Sequence, residues 1–129
     1  YFKDGKEVTE WLTNDKHFLF SITSFFENAP SHLIIEAIED SEIIQLSKEG
    51  LDKLRKTNLE VANLMYEWIS VSLVLSQKRM DSIQFETAKQ RYDSLLKIQP
   101  EILNRVPLQH IASFLGITQE TLSRIRSKK

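Results

Sequence analysis

The spacing of apolar residues along this chain changes character near Ser47. Ahead of it the pattern is strand-like. YFKDGKEVTEWL opens on Asp4-Gly5, a preferred two-residue hairpin turn because both central positions take positive φ. Lys6, Val8, Glu10 and Leu12 then alternate with Glu7, Thr9 and Trp11, leaving apolar surface on both faces. A second strand-like tract, HLIIEAIEDSEIIQLS from His32 to Ser47, is rich in isoleucine and splits at a predicted turn around Glu39-Asp40-Ser41. Between the two, Phe18, Phe20, Phe25 and Phe26 precede Pro30 in a segment that reads as a short helix or a buried loop. Such aromatic residues more often fill a core than line a ligand site.

Beyond Ser47 the period is helical. Ser47 and Gly50 open a short helix carrying Leu51 and Leu54. A long helix starts at about Leu59, with Val61, Ala62, Met65, Trp68, Ile69, Ser72, Leu73, Ser76 and Met80 on or near one stripe. From Met65 to Leu75 it is apolar nearly all round, so it must be covered on more than one side, and a second copy of the chain is a natural cover. Phe85, Ala88, Tyr92, Leu95 and Leu96 make another amphipathic stripe, which ends before Pro100. Ile98 to Val106 reads as a connector, and Pro107 suits the first turn of a further helix. A domain boundary falls near Gln84, and the order is β first, a long helix next and a small helical module last.

Composition narrows the class. The 129 residues suit one ordinary domain or two small ones, and three glycines and three prolines disfavour a turn-rich all-β fold. With no cysteine there is no disulfide, thiolate-held zinc or iron–sulfur cluster, and a cytoplasmic location is expected. No apolar run is long enough to span a bilayer, so no membrane partner is expected. The net charge of −1 is uneven: residues 1–50 carry −6, residues 51–98 carry +2 and residues 99–129 carry +3. A basic end can attract an anionic polymer while the acidic remainder limits indiscriminate binding.

The candidate chemistry lies in that basic end, HIASFLGITQETLSRIRSKK. With Leu108–Leu115 as one helix and Gln119 to about Ser127 as the next, Ala112 is small where the two cross and Gly116 tolerates the positive φ of the turn. Ile117 plugs the turn, Thr118 caps the second helix, and Leu122 and Ile125 face inward. Gln119, Glu120, Ser123, Arg124 and Arg126 are left outside. Arginine can bond bidentately to guanine, glutamine to adenine, and glutamate can accept from cytosine. Thr118, Thr121 and the helix N-terminus can hold phosphates, and Lys128 adds phosphate attraction. The competing reading is a helical hairpin with an ordinary solvated face.

LQHIASFLGITQETLSRIR is similar to the DNA-binding end of the cyclic-AMP receptor/fumarate-nitrate regulator superfamily of bacterial transcription factors, most of all to versions from Bacteroidetes-type bacteria. AIEDSEIIQLSKEGLDKL resembles the last strands of that family's cyclic-nucleotide-binding β-roll and the short helix after it. The resemblance implies an α+β chain: residues 1–57 part of a β-roll, 58–83 a dimerisation helix and 84–129 a helix-turn-helix domain. As the first residue is Tyr1 rather than methionine, the chain reads as N-terminally incomplete. The implied function is a homodimeric regulator in which Gln119, Glu120, Ser123 and Arg124 read bases. Val61, Leu64, Met65, Trp68, Ile69, Ser72 and Leu75 would pair the two copies, and RNA polymerase and an unidentified small-molecule effector are further implied partners. Gln119 stands where the cyclic-AMP receptor has an arginine, so a different operator is expected. The alternative is a sensor or protein-interaction module that no longer binds DNA.

The effector stretch departs from the family pattern. FSITSFFENAPSHLIIEA has no Gly-Glu near Ser21-Ile22, and Ser31-His32 stands where an Arg-Ser or Arg-Thr pair holds the cyclic phosphate. A phosphate buried without its counter-charge is costly, which argues against a cyclic nucleotide, and no other cofactor is evident. His17, His32 and His110 have no metal-ligand spacing, and no nucleophile elbow, phosphate loop or dinucleotide fingerprint is present, so catalysis is not expected.

Overall fold

The computed structural model describes residues 1–15 and 17–127. Strands β1 (Phe2–Lys3) and β2 (Lys6–Glu7) pair antiparallel, Phe2 opposite Glu7 and Lys3 opposite Lys6. Asp4 and Gly5 sit at φ 52° and 74°, the double positive φ their sequence predicts. Helices follow: α1 (Ile22–Glu27), α2 (Lys48–Thr57), α3 (Leu59–Phe85), α4 (Ala88–Ile98), α5 (Ile102–Arg105), α6 (Leu108–Phe114) and α7 (Gln119–Ser127). No helix among the described residues is long and apolar enough to cross a membrane.

The expected α+β architecture with part of a β-roll is not what forms. The described residues are mostly helical, and the two-stranded hairpin is their only sheet. The tract from His32 to Ser47 contains no strand. The physical reason is that strand propensity is realised only against a neighbour, and no strand lies beside this tract to complete a ladder. Ile35, Ile43 and Ile44 therefore keep most of their surface in solvent. The phenylalanines do not form a core either. They line a cleft, with Phe18 and Phe26 about half exposed.

Caps set the helix limits. Ser47 Oγ accepts from Gly50 N at 3.1 Å to start α2. Asn58 both ends α2, donating its N–H to Leu54 O, and starts α3, its Oδ1 accepting from Glu60 N at 2.9 Å and Val61 N at 3.2 Å. α2 packs along α3. Glu86 ends α3, and Thr87 with Gln90 forms a capping box that starts α4 in a new direction. Phe85 consequently stays on α3, 75% exposed, and is not part of the α4 stripe. The predicted connector after Ile98 contains the short helix α5, which buries Ile102.

The buried core lies wholly in the C-terminal module: Tyr92, Leu95, Ile102, Ile111, Ala112, Leu115 and Leu122. Leu12 packs against it from the N-terminal segment, and Val106, Ile117 and Ile125 close its margins.

Candidate nucleic-acid interface

The turn between α6 and α7 is fixed by backbone chemistry. Gly116 takes φ +66°, Gly116 N donates to Ser113 O at 3.0 Å, and Ile117 N donates to Ala112 O at 3.0 Å. This reciprocal pair satisfies the last carbonyls of α6 and reverses the chain. A Cβ at Gly116 would meet Ile83 Cδ1 at 3.5 Å, an ordinary contact, so conformation rather than space requires the glycine. Thr118 then begins α7: its Oγ1 accepts from Thr121 N at 3.2 Å and its carbonyl from Leu122 N at 3.0 Å. Leu122 and Ile111 are completely buried, which locks α7 onto α6.

That packing sorts the predicted reading residues. Thr118, Gln119, Glu120, Ser123, Arg124 and Arg126 are exposed on α7 or at its start, and Thr121 is half-buried. Lys128 lies outside the described residues. The Thr118 hydroxyl beside Glu120 holds that carboxyl below its usual range, helped by the amide at the helix start and by Arg124. Arg124 rests on its own helix, with Nε donating to Glu120 O at 3.4 Å and Nη2 to Thr121 Oγ1 at 3.2 Å. Both contacts are exposed, so the guanidinium can exchange them for an anionic or base-edge partner.

Two arginines that sequence reading did not single out hold the unit in place. Arg79 of α3 donates from Nη2 to Phe114 O and covers the Phe114 ring at 4.0 Å. Arg91 of α4 donates from Nε to Leu115 O at 2.9 Å and from Nη1 to Glu86 O at 2.6 Å. Both put positive charge at the carbonyl end of α6, where the helix dipole favours it. No local signal marks them, because the α6 carbonyls they hold, those of Phe114 and Leu115, lie 35 and 24 residues along the chain. The other side of α6 is covered by the N-terminal segment: Thr9 N donates to Ser113 Oγ at 2.9 Å, and Trp11 meets Phe114 edge-on at 6.4 Å. His110 Nδ1 stands 3.3 Å from Thr9 Oγ1 and 3.7 Å from Glu7 Oε1, which gives this histidine a packing role.

The predicted pairing residues of α3 divide between two faces. Val61, Met65, Trp68 and Ser72 are half-buried, whereas Leu64, Ile69 and Leu75 are exposed. Trp68 is engaged within the chain by Phe18, ring centroids 3.4 Å apart. Val71, Leu73 and Val74 add to the exposed apolar surface. No group of three or more His, Asp or Glu side chains suited to a metal ion occurs among the described residues. Comparison of the chain with protein-family profiles, with curated proteins and with solved structures returns no match.

Proposed function

We propose that this chain is a DNA-binding transcription regulator of the cyclic-AMP receptor/fumarate-nitrate regulator type, acting as a homodimer that reads a palindromic operator with α7. One observation carries the reading: Gln119, Glu120, Ser123 and Arg124 stand exposed together, while Leu122 anchors the opposite side of the same helix in the core. Their side chains have the donor and acceptor chemistry of major-groove base edges, and the start of α7 suits phosphate. A second copy against the exposed face of α3 would set two such helices roughly 34 Å apart, one turn of DNA, a spacing carried over from helix-turn-helix dimers in general.

The test is a fluorescence-anisotropy titration with the palindromic region upstream of its own coding sequence and with scrambled duplex. Arg124→Ala should weaken specific binding by about 1–3 kcal/mol and relax base preference. Equal binding of every duplex by wild type and variant would rule out base reading by α7. A flat salt dependence with no affinity for duplex would instead favour a protein-interaction module.

A further inference from the structure

We propose that the cleft between the N-terminal segment, α3 and α5 binds a small lipophilic cation. The cleft has a volume of about 610 Å³, within the range of about 300–1,000 Å³ usual for small-molecule sites. Its apolar wall is made by Phe18, Phe20, Met65, Trp68, Ile102 and Val106. Phe18 packs on Trp68 with the ring planes 35° apart, and Phe18 is 53% exposed. Aromatic faces present the negative part of their quadrupole, which attracts a cation once water is displaced.

The rim supplies the charge. Asp15, Glu36, Glu39, Glu42 and Glu101 all line the cleft, against Arg105 and His17. Arg105 is already engaged: its Nε donates to Glu39 Oε2 at 3.3 Å, its Nη2 pairs with Glu39 Oε1, and Asp15 stands at 4.0 Å. Glu36 and Glu42 form no ion pair among the described residues. An anion would meet this carboxylate excess with the arginine already occupied. A neutral apolar molecule would use the walls and leave the rim charges unanswered. An apolar body bearing one positive charge, such as a quaternary ammonium or phosphonium, matches both.

The location gives binding a consequence. Met65 and Trp68 belong to α3, whereas Ile102 belongs to the buried core of the C-terminal module and Val106 packs against that core. An occupant therefore touches both sides of the junction. Binding stands on the cleft alone, while a regulatory effect also rests on the DNA-reading assignment of the preceding subsection.

The experiment is isothermal titration calorimetry of the full chain, without DNA, using tetraphenylphosphonium and its isosteric anion tetraphenylborate. Saturable uptake of the cation at one site per chain is expected, roughly tenfold tighter than the borate. Glu36→Gln combined with Glu42→Gln, both exposed and so harmless to folding, should weaken the cation by roughly three- to tenfold. Absence of saturable uptake, equal or tighter binding of the borate, or an unchanged affinity in the double variant overturns the proposal. Duplex titration of the same preparation without the cation separates the two assignments. Loss of DNA binding there overturns DNA reading and leaves the cleft standing; absent cation uptake does the reverse. Saturation with the cation should shift duplex affinity by roughly fivefold or more, and an unchanged affinity overturns the effector role.

Discussion

Arg79 lays its guanidinium over the Phe114 ring, 4.0 Å from the centroid, and donates a hydrogen bond to the Phe114 carbonyl. One side chain of α3 thus grips both the aromatic face and the backbone at the end of α6. Burial, followed by the nearby charge of Arg91, lowers the pKa of Arg79, and Glu10 partly offsets both. Arg79→Ala should cost about 2 kcal/mol in denaturant unfolding, combining a charged hydrogen bond and a cation–π contact. Arg79→Lys should recover only part of this, because an ammonium lacks the planar fork that stacks and donates together. Equal stability of wild type and Arg79→Ala would show that the grip contributes nothing.

Gly116 offers a test of conformation separated from packing. Since an added Cβ finds ordinary contact distance to Ile83, Gly116→Ala should destabilise by about 1–2 kcal/mol through φ alone. Gly116→Asn should be milder, because asparagine enters the left-handed region more readily. Thermal unfolding in which alanine proves the milder of the two would contradict a conformational origin.

The exposed side of α3 predicts association. Leu64 and Leu75 keep 43% and 40% of their surface in solvent, so Leu64→Glu with Leu75→Glu should leave the folded chain intact and place charge on the face proposed for pairing. Sedimentation equilibrium should show a dimer for wild type and a monomer for the double variant, with unchanged helical circular dichroism. A wild-type monomer at high concentration would remove the pairing from the proposed function.

The pair Glu39–Arg105 should be visible in acid. The hydrogen bond from Arg105 holds the Glu39 carboxyl below its ordinary value, outweighing the opposing effect of desolvation, with a lesser contribution from the arginine's charge. A carboxyl depressed in the folded state stabilises above its unfolded pKa, and that contribution disappears as pH falls through the lower folded value. An NMR titration should therefore find Glu39 depressed in wild type and ordinary in Arg105→Met. A Glu39 titration unmoved by that substitution would show that the contact does not persist in solution.

What the sequence made legible was local. The hairpin turn follows from Asp4-Gly5, the start of α2 from Ser47, and the turn and cap before α7 from Gly116 and Thr118, because each signal acts within a few residues. The inward positions Leu122 and Ile125 follow from helical period. The end of α3 was harder: the period starts a new stripe at Phe85 and puts the boundary near Gln84, whereas Thr87 and Gln90, a capping-box pair present in the sequence, start α4 only at Ala88. The tract from His32 to Ser47 misled because isoleucine spacing reports strand propensity but cannot report whether a neighbouring strand exists. The grip of Arg79 and Arg91 on α6 was illegible for a related reason: the carbonyls of Phe114 and Leu115 are brought to them only by tertiary folding.

Asn58 serves two helices at once, and its position has a kinetic consequence. Its amide closes the last turn of α2 while its side chain nucleates the first turn of α3, so the junction behaves as a splice and not as a swivel. Fraying that starts at either helix end must release the same residue. Amide exchange at Asn58, Glu60 and Val61 should then proceed through one shared opening event, making α2 and α3 a single lever whose two arms loosen together.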